Sequence, residues 1–236
     1  ATAGTPGTGR RAPPSASPGP SPTAAPHRHD EAAGLLRVTG HLPPTLDGVE
    51  LTRRHAEILT LLAWHGPGLT GAELEVALYP EETAGHRPAP GDAPARAISL
   101  RAEVHRLRRA LQDVGAPVAL LSRPYRLVGE VHADLLCARE ALRAGDLDRA
   151  LHAAAGPVLP RSASPGVASI RAELGEALRE AVAQDADVEQ LWAYLGRPEA
   201  RDDVELWGAA LRLLPTDSPR RALAVATLER IERDLA

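Results

Sequence analysis

The spacing of apolar positions changes several times along the chain, and each change marks an element. Leu35-Leu36-Arg37-Val38 and Gly48-Val49-Glu50-Leu51-Thr52 have the short, apolar character of strands. Thr52 is placed as the N-cap of a helix over 53–65 that carries Ile58, Leu59, Leu61 and Leu62, and Gly66-Pro67-Gly68 stops it. Thr70 with Glu73 three residues on gives the spacing of a capping box. It opens a second helix lined by Leu74, Ala77 and Leu78, which ends before Pro80. A polar Pro/Gly loop is expected over 81–94, then a third helix from about 96 to 113. Val118-Ala119-Leu120-Leu121 and Tyr125-Arg126-Leu127-Val128 read as hairpin arms around Ser122-Arg123-Pro124. From about 132 onward the pattern is helical, with candidate helices at 132–144, 146–154, 167–185, 187–195, 202–214 and 219–234. No fixed-period repeat emerges, although 132–154 has the form of one helical hairpin of a repeat protein.

Residues 1–33 differ from all of this. They are Pro, Gly, Ser, Thr and Ala with almost no large apolar side chain, so they cannot bury enough surface to offset chain entropy. The expected organisation is a disordered Pro/Gly/Ser-rich linker at 1–33, a domain of short strands, three helices and a hairpin at 34–129, and an all-α helical domain at 130–236. The fold class is mainly α with small β.

The third helix carries the chemistry. On a wheel advancing about 100° per residue, Leu100, Val104, Leu107 and Leu111 fall within roughly 60° of one another. Arg101, His105, Arg108 and Gln112 share a flank roughly 80–140° away. Such a helix can pack on a small core while it lies in a major groove. Arg donates two hydrogen bonds to a guanine edge, and Gln pairs with adenine. Arg106 and Arg109 lie toward the margins, where phosphates are the expected partners. In the hairpin, Tyr125 and Leu127 alternate inward, Arg126 points outward and Arg123 sits at the tip.

Charge sharpens this reading. The 236-residue chain has net charge −4, so it is not basic throughout and any DNA-binding surface must be local. Residues 96–126 hold 7 Arg and 2 acids, whereas residues 129–236 hold 13 Arg and 19 acids. Every basic side chain is Arg. Lys, Phe, Met and Asn are all absent, which points to a GC-rich bacterial gene.

Three ordered motifs carry a family resemblance. L-T-R-R-H-A-E-I-L-T-L-L-A-W-H-G-P-G-L-T-G-A-E-L-E-V-A-L-Y resembles the first two helices of the OmpR/PhoB-type DNA-binding domain, with its L-T-x-x-E-x-x-L-L-x-L-L run. S-L-R-A-E-V-H-R-L-R-R-A-L resembles that family's recognition helix, which ends R-L-R-R-x-L, and S-R-P-Y-R-L resembles its wing. Pro124 stands where the family has Gly, and the longer loop before the third helix lacks the usual Trp. H-A-D-L-L-C-A-R-E-A-L-R-A-G-D-L-D-R-A-L-H-A-A-A-G-P-V-L-P is similar to the opening of the bacterial transcriptional activator domain of antibiotic-pathway regulators. By analogy with regulators that begin with a GAF sensor, the Pro-rich start would be a linker from such a domain. The resemblance implies a transcriptional regulator in which 34–129 is a winged helix-turn-helix DNA-binding domain and 130–236 a helical activator-like, oligomerisation or partner-binding domain. Its DNA-contacting residues would be Arg101, His105, Arg106, Arg108, Arg109, Gln112, Arg123 and Arg126.

Other constellations point elsewhere than to catalysis. No phosphate-binding Gly loop, G-x-S-x-G or metal-ligand His spacing stands out, so no enzyme, cofactor or metal is assigned. Cys137 is expected as a small buried side chain. Asp202 and Asp203 are expected at a helix start, and Trp192, Tyr194 and Trp207 in the tail core. The expected partner is double-stranded DNA, with RNA polymerase and a second copy of the chain as further candidates. No membrane partner is expected, and the compartment is the cytoplasm. The competing reading is a protein-interaction scaffold that uses the same winged helix and tail without DNA. The basic patch over 96–126 favours DNA.

Overall fold

The computed structural model describes residues 1–2, 35–80 and 92–235, with side chains of 92–95 left out. The expectations of a disordered segment over 1–33 and a polar loop over 81–94 therefore fall largely outside the described residues. Strands β1 (Leu35–Arg37), β2 (Thr45–Leu46) and β3 (Val49–Glu50) precede helices α1 (Arg53–Trp64), α2 (Gly71–Leu78) and α3 (Asp92–Asp113). The hairpin β4 (Val118–Leu121) and β5 (Arg126–Gly129) follows, then β6 (His132–Ala133). The tail is helical: α4 (Asp134–Arg143), α5 (Leu147–Ala153), α6 (Pro165–Asp185), α7 (Val188–Leu195), α8 (Val204–Leu213) and α9 (Arg220–Leu235), with a 3-10 turn at Pro198–Ala200. Three helices followed by a two-stranded wing make a winged helix-turn-helix, and an all-α module follows it.

Local chemistry accounts for the boundaries. Thr52 caps α1 by accepting from His55 N–H. At α2 both halves of the capping box form, the Thr70 hydroxyl accepting from Glu73 N–H and the Glu73 carboxylate from Thr70 N–H. Those bonds hold the Glu73 carboxyl below its usual range. Leu100, Val104, Leu107 and Leu111 are all buried, as the wheel requires. Helix α3 starts at Asp92 rather than near residue 96. Cys137 is half-buried rather than buried, because α4 presents Leu135, Ala138 and Ala141 to the core and Cys137 lies off that stripe.

The two short strands β2 and β6 were not anticipated. They join a four-stranded sheet in the order β3-β2-β1-β6, in which β1 pairs antiparallel with β2 and parallel with β6. The tail thus begins inside the sheet of the winged helix, and the described residues from 35 onward belong to one compact unit. One carboxylate fixes the junction. Asp134 Oδ2 accepts from Val38 N–H and Thr39 N–H, both at 2.8 Å, and from the Thr39 hydroxyl at 2.9 Å. Asp134 Oδ1 accepts from Leu135 N–H. Burial pushes the Asp134 carboxyl up from its ordinary value, and these donors pull it back. Nearby, Leu159 N–H donates to Val38 O and Gly40 N–H to Pro157 O, which ties the chain after α5 to the same edge.

The N-terminal end of α6 seats on α1 and α2. Gly166 allows the approach, since a Cβ there would lie 2.7 Å from Leu61 Cδ2 and 2.8 Å from Ala77 Cβ. Ser164 Oγ donates to Ala77 O at 2.7 Å, and Ser162 Oγ donates to the buried Glu57 Oε1 at 2.7 Å. Glu57 Oε2 lies 2.8 Å from Arg54 Nη1 but out of line for a hydrogen bond, so that contact is Coulombic. Among the described residues no helix is long and apolar enough to cross a membrane.

Asp134→Ala orphans two backbone donors at the sheet edge, the N–H groups of buried Val38 and half-buried Thr39. It is expected to destabilise the chain by about 3 kcal/mol and to lower Tm by roughly 6–12 °C, as read by calorimetry. An unchanged Tm would mean that β1 holds its place without the carboxylate.

Candidate nucleic-acid interface

The candidate interface draws on the turn before α2, the exposed face of α3 and the wing. The wing is stitched to that turn by a pair of backbone bonds. Leu69 N–H donates to Tyr125 O at 2.9 Å and Tyr125 N–H donates to Leu69 O at 2.8 Å. Gly68, at φ +101°, makes the contact feasible, because a Cβ there would lie 2.7 Å from Tyr125 O. At the wing base Gly129, at φ +113°, leaves no room for a side chain, which would sit 2.1 Å from Pro117 O. Tyr125 and Leu127 are half-buried against the core and Arg126 is exposed, so the strand alternates as expected. Arg123 is exposed at the tip, with φ +73°.

Three of the residues singled out in the sequence come together. Arg101 and Arg108 of α3 and Arg123 of the wing line one open cleft of about 910 Å³, with Thr70 and Gly71 at its edge. Among the described residues no carboxylate lines it. Within this cleft Arg108 has a second task. Its Nε donates to Leu120 O at 2.9 Å and its Nη2 to Ser122 Oγ, so the guanidinium braces β4 and the wing turn against α3. The helical wheel put Arg108 on the right face but gave no sign of this bond, whose partners lie 12 and 14 residues away.

The remaining candidates are dispersed. Arg106 turns to Glu103 of its own helix, with Nη2 2.6 Å from Oε1. Glu103 also lies 3.9 Å from His55 Nε2. Burial holds the His55 imidazole below its usual value, so at neutral pH it is uncharged and Glu103 serves Arg106. His105 and Arg109 are exposed on α3 away from the cleft. Gln112 is exposed as well, and it lines a separate hollow at the wing base with Arg108, Leu120 and Gly129. Arg126 has its Cβ against the Gly68 turn, where a Cβ on Gly68 would lie 2.9 Å from it. Thr70 and Gly71 were not singled out as site residues. The capping box marked the helix start but not its proximity to α3 and the wing.

Comparisons with known proteins agree with this architecture. The chain is 34% identical over 207 residues to an uncharacterised 47.3 kDa protein from the thcA 5′ region of Rhodococcus erythropolis. The match covers 86% of this chain and 44% of that protein. Among solved structures it resembles Mycobacterium tuberculosis EmbR, determined in complex with a low-affinity phosphopeptide, with a TM-score of 0.52 at 22% identity. That likeness covers 85% of this chain and 59% of EmbR, and it shows a shared fold. Residues 187–236 match the model of the YTH3-like protein third C-terminal helical domain. The chain therefore spans less than half of the Rhodococcus relative and little more than half of EmbR. None of these likenesses supports a preceding GAF sensor.

Arg108→Ala should loosen the wing while the core stays intact. Amide exchange over residues 118–129 is expected to speed up about tenfold, with α1 amides unchanged. Arg108→Lys should not restore protection, since one ammonium cannot reproduce a planar fork aimed at two acceptors. Wild-type exchange in the alanine variant would leave Arg108 with no structural part in the wing.

Proposed function

We propose that this chain is the DNA-binding portion of a bacterial transcriptional regulator and acts in the cytoplasm. Residues 34–129 form its winged helix-turn-helix and residues 130–236 its helical partner-binding or oligomerisation module. The observation that carries the reading is the cleft, without a carboxylate among the described residues, in which Arg101, Arg108 and Arg123 converge from helix and wing. A duplex offers what that cleft lacks, a row of phosphates beside a groove edge.

In this reading α3 enters the major groove. Arg101, His105 and Gln112 are exposed there and reach base edges. Arg108 contributes the N–H groups left over after it has bound the wing. Arg106 and Arg109 meet phosphates, and Arg106 does so by leaving or sharing Glu103. Arg123 at the wing tip and Arg126 on its outer face touch the backbone or the adjacent minor groove. The acidic tail suits contacts with protein rather than DNA, and RNA polymerase and a second copy of the chain are the partners this assigns to it. The fold shared with EmbR supports a regulator over an enzyme.

Salt dependence tests the reading directly. With about five phosphates neutralised, affinity for a random duplex should fall roughly 500-fold between 50 and 200 mM salt. Salt-independent association, or none at low salt, would favour the scaffold reading.

Helix and wing should separate in the same assay. Arg101→Ala is expected to lose about 1–3 kcal/mol on the specific site and to relax base preference. Arg123→Ala should instead weaken specific and random duplexes alike and flatten the salt slope by roughly one unit. An unchanged slope in Arg123→Ala would remove the wing tip from the interface.

A further inference from the structure

One carboxylate of α3 stands between two basic side chains. Glu103 Oε1 lies 2.6 Å from Arg106 Nη2, one turn along the helix. Glu103 Oε2 faces two groups at once, Arg106 Nε at 3.4 Å and His55 Nε2 at 3.9 Å. His55 belongs to the first turn of α1, which packs against α3. The three side chains differ in exposure, at 12% for His55, 22% for Glu103 and 59% for Arg106. The carboxylate thus lies between a mostly buried imidazole and a largely solvated guanidinium.

Two charged groups act on His55, and both come from α3. Glu103 favours the imidazolium and Arg106 opposes it. Arg54, its neighbour on α1, is turned to Glu57 and to Leu78 O. Helices α2 and α6 and strand β5 also pack on α1, and among the described residues none of their charged groups bears on the imidazole. Burial is the largest influence and holds His55 below its ordinary value, so the ring is neutral at neutral pH and takes up its proton in acid.

An imidazolium changes the contest for Glu103. Two cations then share one carboxylate and repel each other. The pair on the buried side is the less screened by water, whereas an exposed pair within one helix is worth little. Arg106 is therefore the cation that leaves. We propose that protonation of His55 transfers Glu103 from Arg106 to His55 and releases Arg106 to a DNA phosphate, so that acid strengthens duplex binding. The use of Arg106 at a phosphate rests on the DNA-binding reading, and its release does not. His105, exposed on α3, also gains charge in acid, so the variants compared must all keep it.

Two measurements on the full chain separate release from use. Without DNA, NMR relaxation of the arginine side chains should find Arg106 Nε–H ordered at about pH 7.5 and as mobile as that of exposed Arg101 at about pH 5.5. In His55→Gln, whose side chain stays neutral, Arg106 should remain ordered at both. With a random duplex, the wild type should gain about 5-fold more affinity than His55→Gln over the same pH drop, and its salt slope at the lower pH should be steeper by roughly one unit. In an Arg106→Gln background, adding His55→Gln should leave the pH response unchanged. An Arg106 Nε–H that stays ordered in acid, or equal pH gains in wild type and His55→Gln, would overturn the proposal. No duplex binding by any of these proteins would overturn the DNA-binding reading and the phosphate contact with it, a result that the relaxation data tell apart from a failed release.

Discussion

Helix α1 is buried on every side, and the rest of the molecule is arranged around that fact. Nine consecutive residues, Ala56 to Trp64, lie inside. A nine-residue run passes around the helix more than twice, so no face is left for water. One small module cannot cover such a helix. In this chain α2, α3 and the wing cover part of it, and the N-terminal end of α6 covers another part. The polar members of the run show the demand this creates. Glu57 is kept inside by Ser162 from the loop before α6 and by Arg54 from its own helix. The Thr60 hydroxyl has no partner among the described residues. A winged helix cut away from its tail would expose the Leu61 side that meets Gly166 and would leave Glu57 without its serine.

Arginine has two distinct uses here, and the distinction changes what the composition means. With no lysine in the chain, the guanidinium also serves as the structural donor. Arg171, Arg197 and Arg221 each aim at two or more backbone carbonyls near helix ends or turns, where carbonyls lack intrahelical partners. Arg139 stacks on Trp64. A planar fork of donors suits this work better than an ammonium does. The positive patch over 96–126 therefore offers a partner fewer free N–H donors than its arginine count suggests, since Arg106 is paired with Glu103 and Arg108 braces the wing. Arg101 and Arg123 are the members of the cleft without such an assignment.

What could be read from the sequence was what local rules determine. The Thr52 and Thr70 caps, the buried stripe of α3, the hairpin around Arg123 and the alternation of Tyr125 with Arg126 each depend on residues within a few positions. The misses share a different cause. Strands β2 and β6 are two residues each, too short for a period of two to register, and they exist because β1 offers both of its edges. Asp134 was a residue at a helix start until Val38 and Thr39 came within reach. The bond from Arg108 to the wing was hidden because a wheel shows faces and not partners. The convergence of Arg101 with Arg123 likewise depends on the Leu69–Tyr125 backbone pair, which no spacing announces.

Helix α6 joins the tail to the winged helix as a single rigid element. Its first turns press on α1 and α2 with no slack at Gly166, and its middle, from Arg171 to Arg179, lines a cleft of about 340 Å³ in the tail. At about 1.5 Å per residue, Gly175 lies about 14 Å along the helix from Gly166. Its only proline is at the first helical position, where it does not kink the axis. A shift of α6 at the cleft is therefore carried along the helix to the α1 contact, because close-packed cores resist small displacements. Two further ties act in the same direction: β1 pairs with β6, and Asp134 holds Val38 and Thr39 at the root of α4. Winged helix and tail are thus joined at the sheet edge and again at α6, and two separated attachments between the same bodies remove the hinge that one would have left.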